Sequence, residues 1–194
     1  MILVIDTSSS TAAVATVDEQ TGAIAEHSVP SRSPELVPLL RRLAKENAIT
    51  RVAVVTGPGS FTGLRVGVSF GLGLAMGLEV PIVPLHTLDL QAARGGTPVT
   101  AVVEAGRGRF YFKVPGAEAA LGDPGDIPAS YPLAGRLSPS AEAALTAAGH
   151  AFEAESGLRT FGQAAKFLLE SAREVAYGSL KLDYMQSFSA RLVK

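Results

Sequence analysis

The loop Gly57-Pro58-Gly59-Ser60-Phe61-Thr62-Gly63 is the first stretch of this 194-residue sequence whose residue types and spacing suggest chemistry. Glycines let a backbone turn tightly enough to wrap a phosphate. Ser60 and Thr62 would then stand at a helix N-terminus, where free N–H groups hold anions. The pattern departs from both standard phosphate loops. No Lys follows Gly63, as G-x-x-x-x-G-K-[ST] requires, and Gly57, Gly59 and Thr62 do not fit G-x-G-x-x-G. The plainer reading is a strand-to-helix turn with Ser60 or Thr62 as the helix cap. Asp6, with Thr7 and Ser8, ends the first apolar run and has the oxygens for a hydrated magnesium ion or a phosphate. The same three residues equally satisfy the backbone of a turn.

Other chemistries find less support. His27, His86 and His150 form no H-x-x-x-H or H-E-x-x-H, so a sequence-local zinc peptidase site is absent. His86 reads as a cap at a strand-to-helix junction. There is no cysteine, which excludes disulfides, thiolate metal sites and Cys nucleophiles. No serine sits in G-x-S-x-G. Arg107 and Arg109 beside Phe110, Tyr111 and Phe112 have the makings of an RNA contact, but alternating aromatics on a strand read better as core and cross-strand pairs.

Composition narrows the class. Apolar residues make up 47% and charged residues 18%, enough for a sizeable core, and the net charge of −1 argues against a general nucleic-acid binder. The start, Met1 to Asp6, has no positive flank and its apolar run stops at an aspartate, which is not a signal peptide. The apolar stretch from Val66 to Leu78 reads as too short for a bilayer and as a helix buried on nearly all sides. These features lead to the expectation of a soluble, cytoplasmic protein with no membrane contact.

The elements that must position these residues follow from pattern. Ile2 to Ile5 is a buried strand, and Ala12–Val17 and Ile24–Val29 complete an antiparallel meander about a turn at residues 18–22. Ser33-Pro34-Glu35 opens a helix with Leu36, Leu39, Leu40 and Leu43 at helical spacing; Pro38 either kinks it or moves its start. Val52–Val55 is a strand, the Gly-rich segment after it a helix, and Val80–Val83 a strand. From Pro98 the order restarts with a hairpin, Val99–Val103 and Phe110–Val114, and then a loop over residues 115–132. A short helix follows at Ser138-Pro139, closed by Gly149. Another opens on the capping box Thr160-Phe161-Gly162-Gln163. The repeat predicts two lobes, residues 1–97 and 98–194.

Gly63, Gly67, Gly71 and Ala75 recur every four residues, a smooth helical stripe that admits a close neighbour. That neighbour is either the chain's own sheet or a helix of another chain.

The run Gly57-Pro58-Gly59-Ser60-Phe61-Thr62-Gly63-Leu64-Arg65-Val66-Gly67 closely resembles the signature of the TsaB (YeaZ) family. Ile5-Asp6-Thr7-Ser8 and Pro81 to Leu88 agree with it, as does Pro34 to Leu40, though without the histidine usual just before. The second half is less similar. Glu104 replaces the aspartate of the family's Asp-Ala-Arg hairpin, and Tyr184-Met185-Gln186 stands for a Tyr-Leu-Arg type motif. The resemblance implies an α/β fold of two ribonuclease H-like lobes, mixed sheets flanked by helices, as in the actin-like ATPase and sugar-kinase superfamily. That superfamily binds phosphate at a first turn of Asp-x-Gly, where Ser8 here takes the glycine's place.

The resemblance further implies a non-catalytic subunit without metal or cofactor of its own, ATP or ADP being conceivable only at a partner interface. It would bind and activate TsaD in making threonylcarbamoyladenosine on tRNA. TsaE joins the assembly, tRNA is met only through the complex, and the free chain pairs with itself. In the family the first two helices form the partner surface. That assigns the interface here to Leu36, Leu39, Leu40, Leu43, Gly63, Gly67, Gly71 and Ala75, and a nucleotide or anion turn to Asp6, Thr7, Ser8, Ser60 and Thr62. Gly67→Phe would then abolish pairing and leave the monomer folded. The competing readings are an ATP-dependent small-molecule kinase, with Glu104 as substitute base, and a peptidase.

Overall fold

In the computed structural model, which describes residues 1–31 and 33–185, the first apolar run is the central strand β1 (Ile2–Asp6). It pairs antiparallel with β2 (Thr11–Val17), which pairs antiparallel with β3 (Ile24–Pro30). On its other edge β1 runs parallel to β4 (Arg51–Gly57), and β4 parallel to β5 (Ile82–His86), giving the sheet order β3-β2-β1-β4-β5. Every residue of β1 is buried because both faces of the sheet are covered. Side chains of a strand alternate, so Leu3 and Ile5 enter one core and Ile2 and Val4 the other.

Leu3 and Ile5 meet α1 (Leu36–Glu46) and α2 (Phe61–Leu78). Helix α1 begins two residues before Pro38, which therefore lies in the first turn, where its missing N–H has no intrahelical partner to lose. Ser60 caps α2, its Oγ accepting from the Gly63 N–H at 3.2 Å. Strand β5 starts after Pro81 and extends to His86, later than the apolar run Val80–Val83 suggests.

The short helix α3 (Thr87–Arg94) leads into a second sheet. Here β6 (Thr100–Gly106), β7 (Arg109–Lys113) and β8 (Ala120–Gly122) form a second antiparallel meander, with β9 (Leu133–Ala134) parallel to β6. The stretch 115–132, expected to be loop throughout, thus contains a strand. Phe110 and Phe112 enter a core shared with α4 (Pro139–Ala147), while Tyr111 faces Leu88, Ala101 and Val103 on the other side. The hairpin aromatics are core residues. Gly149, at φ 89°, closes α4.

Helix α5 (Phe161–Leu169) opens on the capping box of Thr160 and Gln163. It follows the second sheet in sequence but packs on the first, where Phe161, Ala164, Ala165 and Leu169 meet Ile2 and Val4. The chain beyond it stays there. The Val175 N–H donates to the Ile82 carbonyl and the Asp183 N–H to the Thr56 carbonyl. A division at residue 97 therefore separates the sheets, whereas the segment 161–184 belongs by contact to the first and Met185 packs on the second.

Candidate functional site

Two places in this architecture bring candidate residues together: the cleft between the sheets and the outer surface of α1 and α2.

The cleft encloses about 690 Å³. Residues 8–10 and 59–61 form its wall on the first sheet, and residues 104–106 with Arg136 its wall on the second. Asp6, 1% exposed, lies under this floor. Its Oδ1 accepts from the Ser8 N–H at 2.8 Å, so that amide is not free for an anion. Its Oδ2 has no hydrogen-bond partner and lies 4.0 Å from Arg136 Nη1, itself unpartnered. Burial pulls the Arg136 guanidinium below its ordinary pKa, with Asp6 acting against that shift. Burial and the Asp183 carboxylate push the Tyr111 phenol upward, Arg109 opposing them.

The other turn residues are used within the fold. Thr7 Oγ1 donates to the Gly63 carbonyl at 2.7 Å, tying the turn to α2. The Ser60 N–H donates to the Ser8 carbonyl at 2.8 Å. Thr62 lies elsewhere, in a groove between α1 and α2. Of the five residues assigned to a nucleotide turn, Ser8 and Ser60 line the cleft and Asp6 lies beneath it. Thr7 and Thr62 do not join them. Glu104 lines the cleft, but its Oε1 and Oε2 accept from Ser138 N–H and Oγ–H at 2.6 and 3.2 Å. Those bonds hold it at the start of α4, which is a structural task rather than that of a free base. His86 makes no capping bond and stands 3.8 Å from Asp183. Among the described residues, no group of three His, Asp or Glu side chains could hold a metal ion.

The helix surface differs from expectation in an instructive way. Leu36, Leu39, Leu40 and Leu43 are buried against Leu3, Ile5, Ala12 and Val14. On α2 the stripe of Gly63, Gly67, Gly71 and Ala75 also faces inward. A Cβ at Gly63 would run into the Thr7 carbonyl, at Gly67 into Thr7 Oγ1, and at Gly71 into Val54. All eight residues assigned to a partner interface therefore pack on the chain's own sheet. The reason is period: a helix laid on a sheet needs small residues every turn wherever it crosses close, and α2 crosses β1 and β4 closely.

The outward face of α2 is what remains open. This helix is 18 residues long, and apolar and long enough by composition to cross a membrane, longer than the stretch read from sequence. Yet only Leu64, Gly67, Gly71 and Ala75 are buried in it, so it is not enclosed on nearly all sides. A side chain at Gly73 or Gly77 would meet nothing within 4 Å of its Cβ, and Ser69 continues their row. Met76 is 55% exposed, and Val37 of α1, 48% exposed, borders the groove that Val66 and Phe70 line. A second small-residue stripe flanked by apolar side chains thus faces solvent.

Sequence reasoning missed Arg136 and the C-terminal strap. Arg136 carries no motif, and only its long-range position opposite Asp6 marks it. The strap follows α5 and brackets α2 at both ends. The Tyr177 hydroxyl reaches the Ala75 and Val80 carbonyls at 3.2 and 2.8 Å. At the other end, Arg65 Nε donates to the Tyr184 hydroxyl at 3.1 Å, and its guanidinium lies 3.9 Å over the Phe61 ring. Of the C-terminal motif noted in sequence, Gln186 lies outside the described residues.

Two meander-based sheets joined through α3 define a two-lobed α/β fold of the ribonuclease H-like, actin-like class. The structure superposes on YeaZ from Pseudomonas aeruginosa with a TM-score of 0.72, at 21% identity, over 94% of this chain and 98% of that one. A second structure, described as an uncharacterized protein with similarity to peptidase YEAZ from the same organism, gives 0.70 at 21% identity, covering 95% and 99%. In sequence, the TsaB proteins of Bacillus subtilis and Escherichia coli, both described as tRNA threonylcarbamoyladenosine biosynthesis proteins, are 32% and 31% identical over 121 and 122 residues. Each match takes in 57% of this chain and 52% or 53% of the relative, so the chain spans about half the length of the curated relatives it matches. The family model "TsaD: tRNA N6-adenosine threonylcarbamoyltransferase" matches residues 12–123. The chain belongs to this family, in its TsaB (YeaZ) group.

Proposed function

We propose that this chain is an accessory subunit in the formation of threonylcarbamoyladenosine on tRNA, and that it binds and activates TsaD through the outward face of α1 and α2. The observation that carries this reading is the open stripe of Ser69, Gly73 and Gly77, bordered by Val66, Phe70, Met76 and Val37. Small residues let a second pair of helices approach closely, and the apolar flanks reward burial without needing charge. The surface is the two-helix surface implied by the family resemblance, but shifted to the opposite side of α2 from the inward glycines. Free chains would pair through the same face. TsaE and tRNA join through the assembly, in the cytoplasm where tRNA is found. The reading gives the chain no catalytic residue and no cofactor, and leaves ATP or ADP to a partner interface.

The test is retention of purified chain by immobilised TsaD from the same organism, with and without ATP. Stoichiometric capture that is lost in Gly73→Phe, with the far-UV spectrum and melting temperature unchanged, supports the reading. Capture of Gly73→Phe as efficient as that of the parent would sink the assigned face. No capture, together with ATP hydrolysis by this chain alone, would favour a kinase instead.

A further inference from the structure

The surface just described has an edge that its apolar centre does not explain. On α1 the outward positions past Val37 are Pro38, Arg41, Arg42, Lys45 and, at the end of the helix, Glu46, all exposed. None of the three cations makes a hydrogen bond or ion pair with a described residue. Lys45 lies in the last helical turn, where the helix dipole favours a cation. Arg42 stands four residues before the exposed Glu46, a spacing at which opposite charges support a helix, but Arg41 has no such reason. Arg41 and Lys45 stand four apart, a like-charge pairing that works against the helix itself. These side chains line a shallow groove with Val37, Pro38 and, at its far end, the acidic Glu46, so the groove carries three cations against one carboxylate. Val37 also borders the groove of Val66 and Phe70 between the helices. Cationic edge and apolar centre are therefore one continuous surface. Across it, α2 contributes Arg65, held on Phe61 and Tyr184, and no acidic residue before Glu79 at its C-cap.

We infer that the α1 edge selects the occupant of this face: a protein whose matching surface sets acidic side chains beside an apolar helix pair. The inference rests on the accessory-subunit reading and adds the chemistry of the partner. Rim charges act chiefly on encounter and on choice of partner, leaving the apolar centre to hold the complex. RNA is the other polyanion that three free cations would attract. It would gain nothing from the exposed Val37 and Met76, and the chain's net charge of −1 works against it.

The experiment is calorimetric titration of TsaD with the full chain, with Arg41→Gln/Arg42→Gln and with Arg41→Glu/Arg42→Glu, at about 50 and about 500 mM NaCl. Circular dichroism checks that each variant folds. For the parent, Kd should rise roughly tenfold with salt, since exposed charges are screened within a few ångströms at the higher value. The Gln pair should flatten that slope. The Glu pair should weaken binding on the order of a hundredfold at low salt and recover part of it as salt rises. Variants matching the parent in affinity and slope overturn the inference while leaving the accessory-subunit reading intact. A parent that does not bind TsaD overturns both. A tRNA transcript shifted in a gel by the parent but not by the variants, with TsaD affinity unchanged, assigns the edge to RNA and overturns it as well.

Discussion

Helix α2 repeats small residues every four positions on two of its faces. On the inner one, Gly63, Gly67, Gly71 and Ala75 lie against Thr7 and Val54, where a single added carbon meets an atom of the sheet. On the outer one, Ser69, Gly73 and Gly77 face open space. The two rows look alike in sequence, and the inner one is the more regular. What separates them is the hidden neighbour: the inner row is where the fold closes on itself, while the outer row costs helix stability without any return inside the monomer. A glycine that weakens a helix and touches nothing is the more informative sign of an external contact.

Substitutions can break this contrast. Gly67→Phe should have the largest effect, because its side chain would displace Thr7 and part its bond to the Gly63 carbonyl. A loss above about 4 kcal/mol, or no soluble protein, is expected. A folded variant with a normal melting curve would show that α2 can lift off the sheet. Next comes Leu40→Ala, which opens a cavity under α1 and should cost about 2–5 kcal/mol in chemical denaturation. Ser60→Ala removes the cap at the head of α2 and should cost about 1 kcal/mol. Gly73→Ala should go the other way, raising stability by up to about 1 kcal/mol, since it gains helix propensity and meets no neighbour. Val37→Ala should leave stability within about 0.5 kcal/mol of the parent while weakening capture by TsaD, and an equal loss in both assays would place Val37 in the core after all.

Much of the fold was legible because it is local. Apolar runs, the capping box at Thr160 and the closing Gly149 identified their elements within a few residues. Strand β8 was missed because Ala120–Gly122 is three residues long among glycine and proline, too short to show an alternation. The eight residues assigned to a partner surface pack on the chain's own sheet for a different reason. Periodicity reports that a face is special, not whether the chain itself covers it, and Leu36, Leu40 and Leu43 are the pattern of any helix lying on a sheet. Asp6 and Ser60 were visible from their place in turns. Arg136 was not, since 130 positions separate it from Asp6 in a segment without a motif.

The strap that brackets α2 sets an order in time as well as in space. Tyr177 reaches back 102 residues to Ala75, and Arg65 waits 119 residues for Tyr184. A nascent chain emerging from the ribosome can pair β1 with β2 and β3 early, yet on the α5 side its first sheet is covered by α3 alone until residues 161–169 have been made. The ends of α2 are thus tied down later than its middle, which lies on β1 and β4, and a product stopping short of Tyr177 would lack both anchors. Synthesis itself leaves each end of α2 without its anchor until a residue 102 or 119 positions further on has been made.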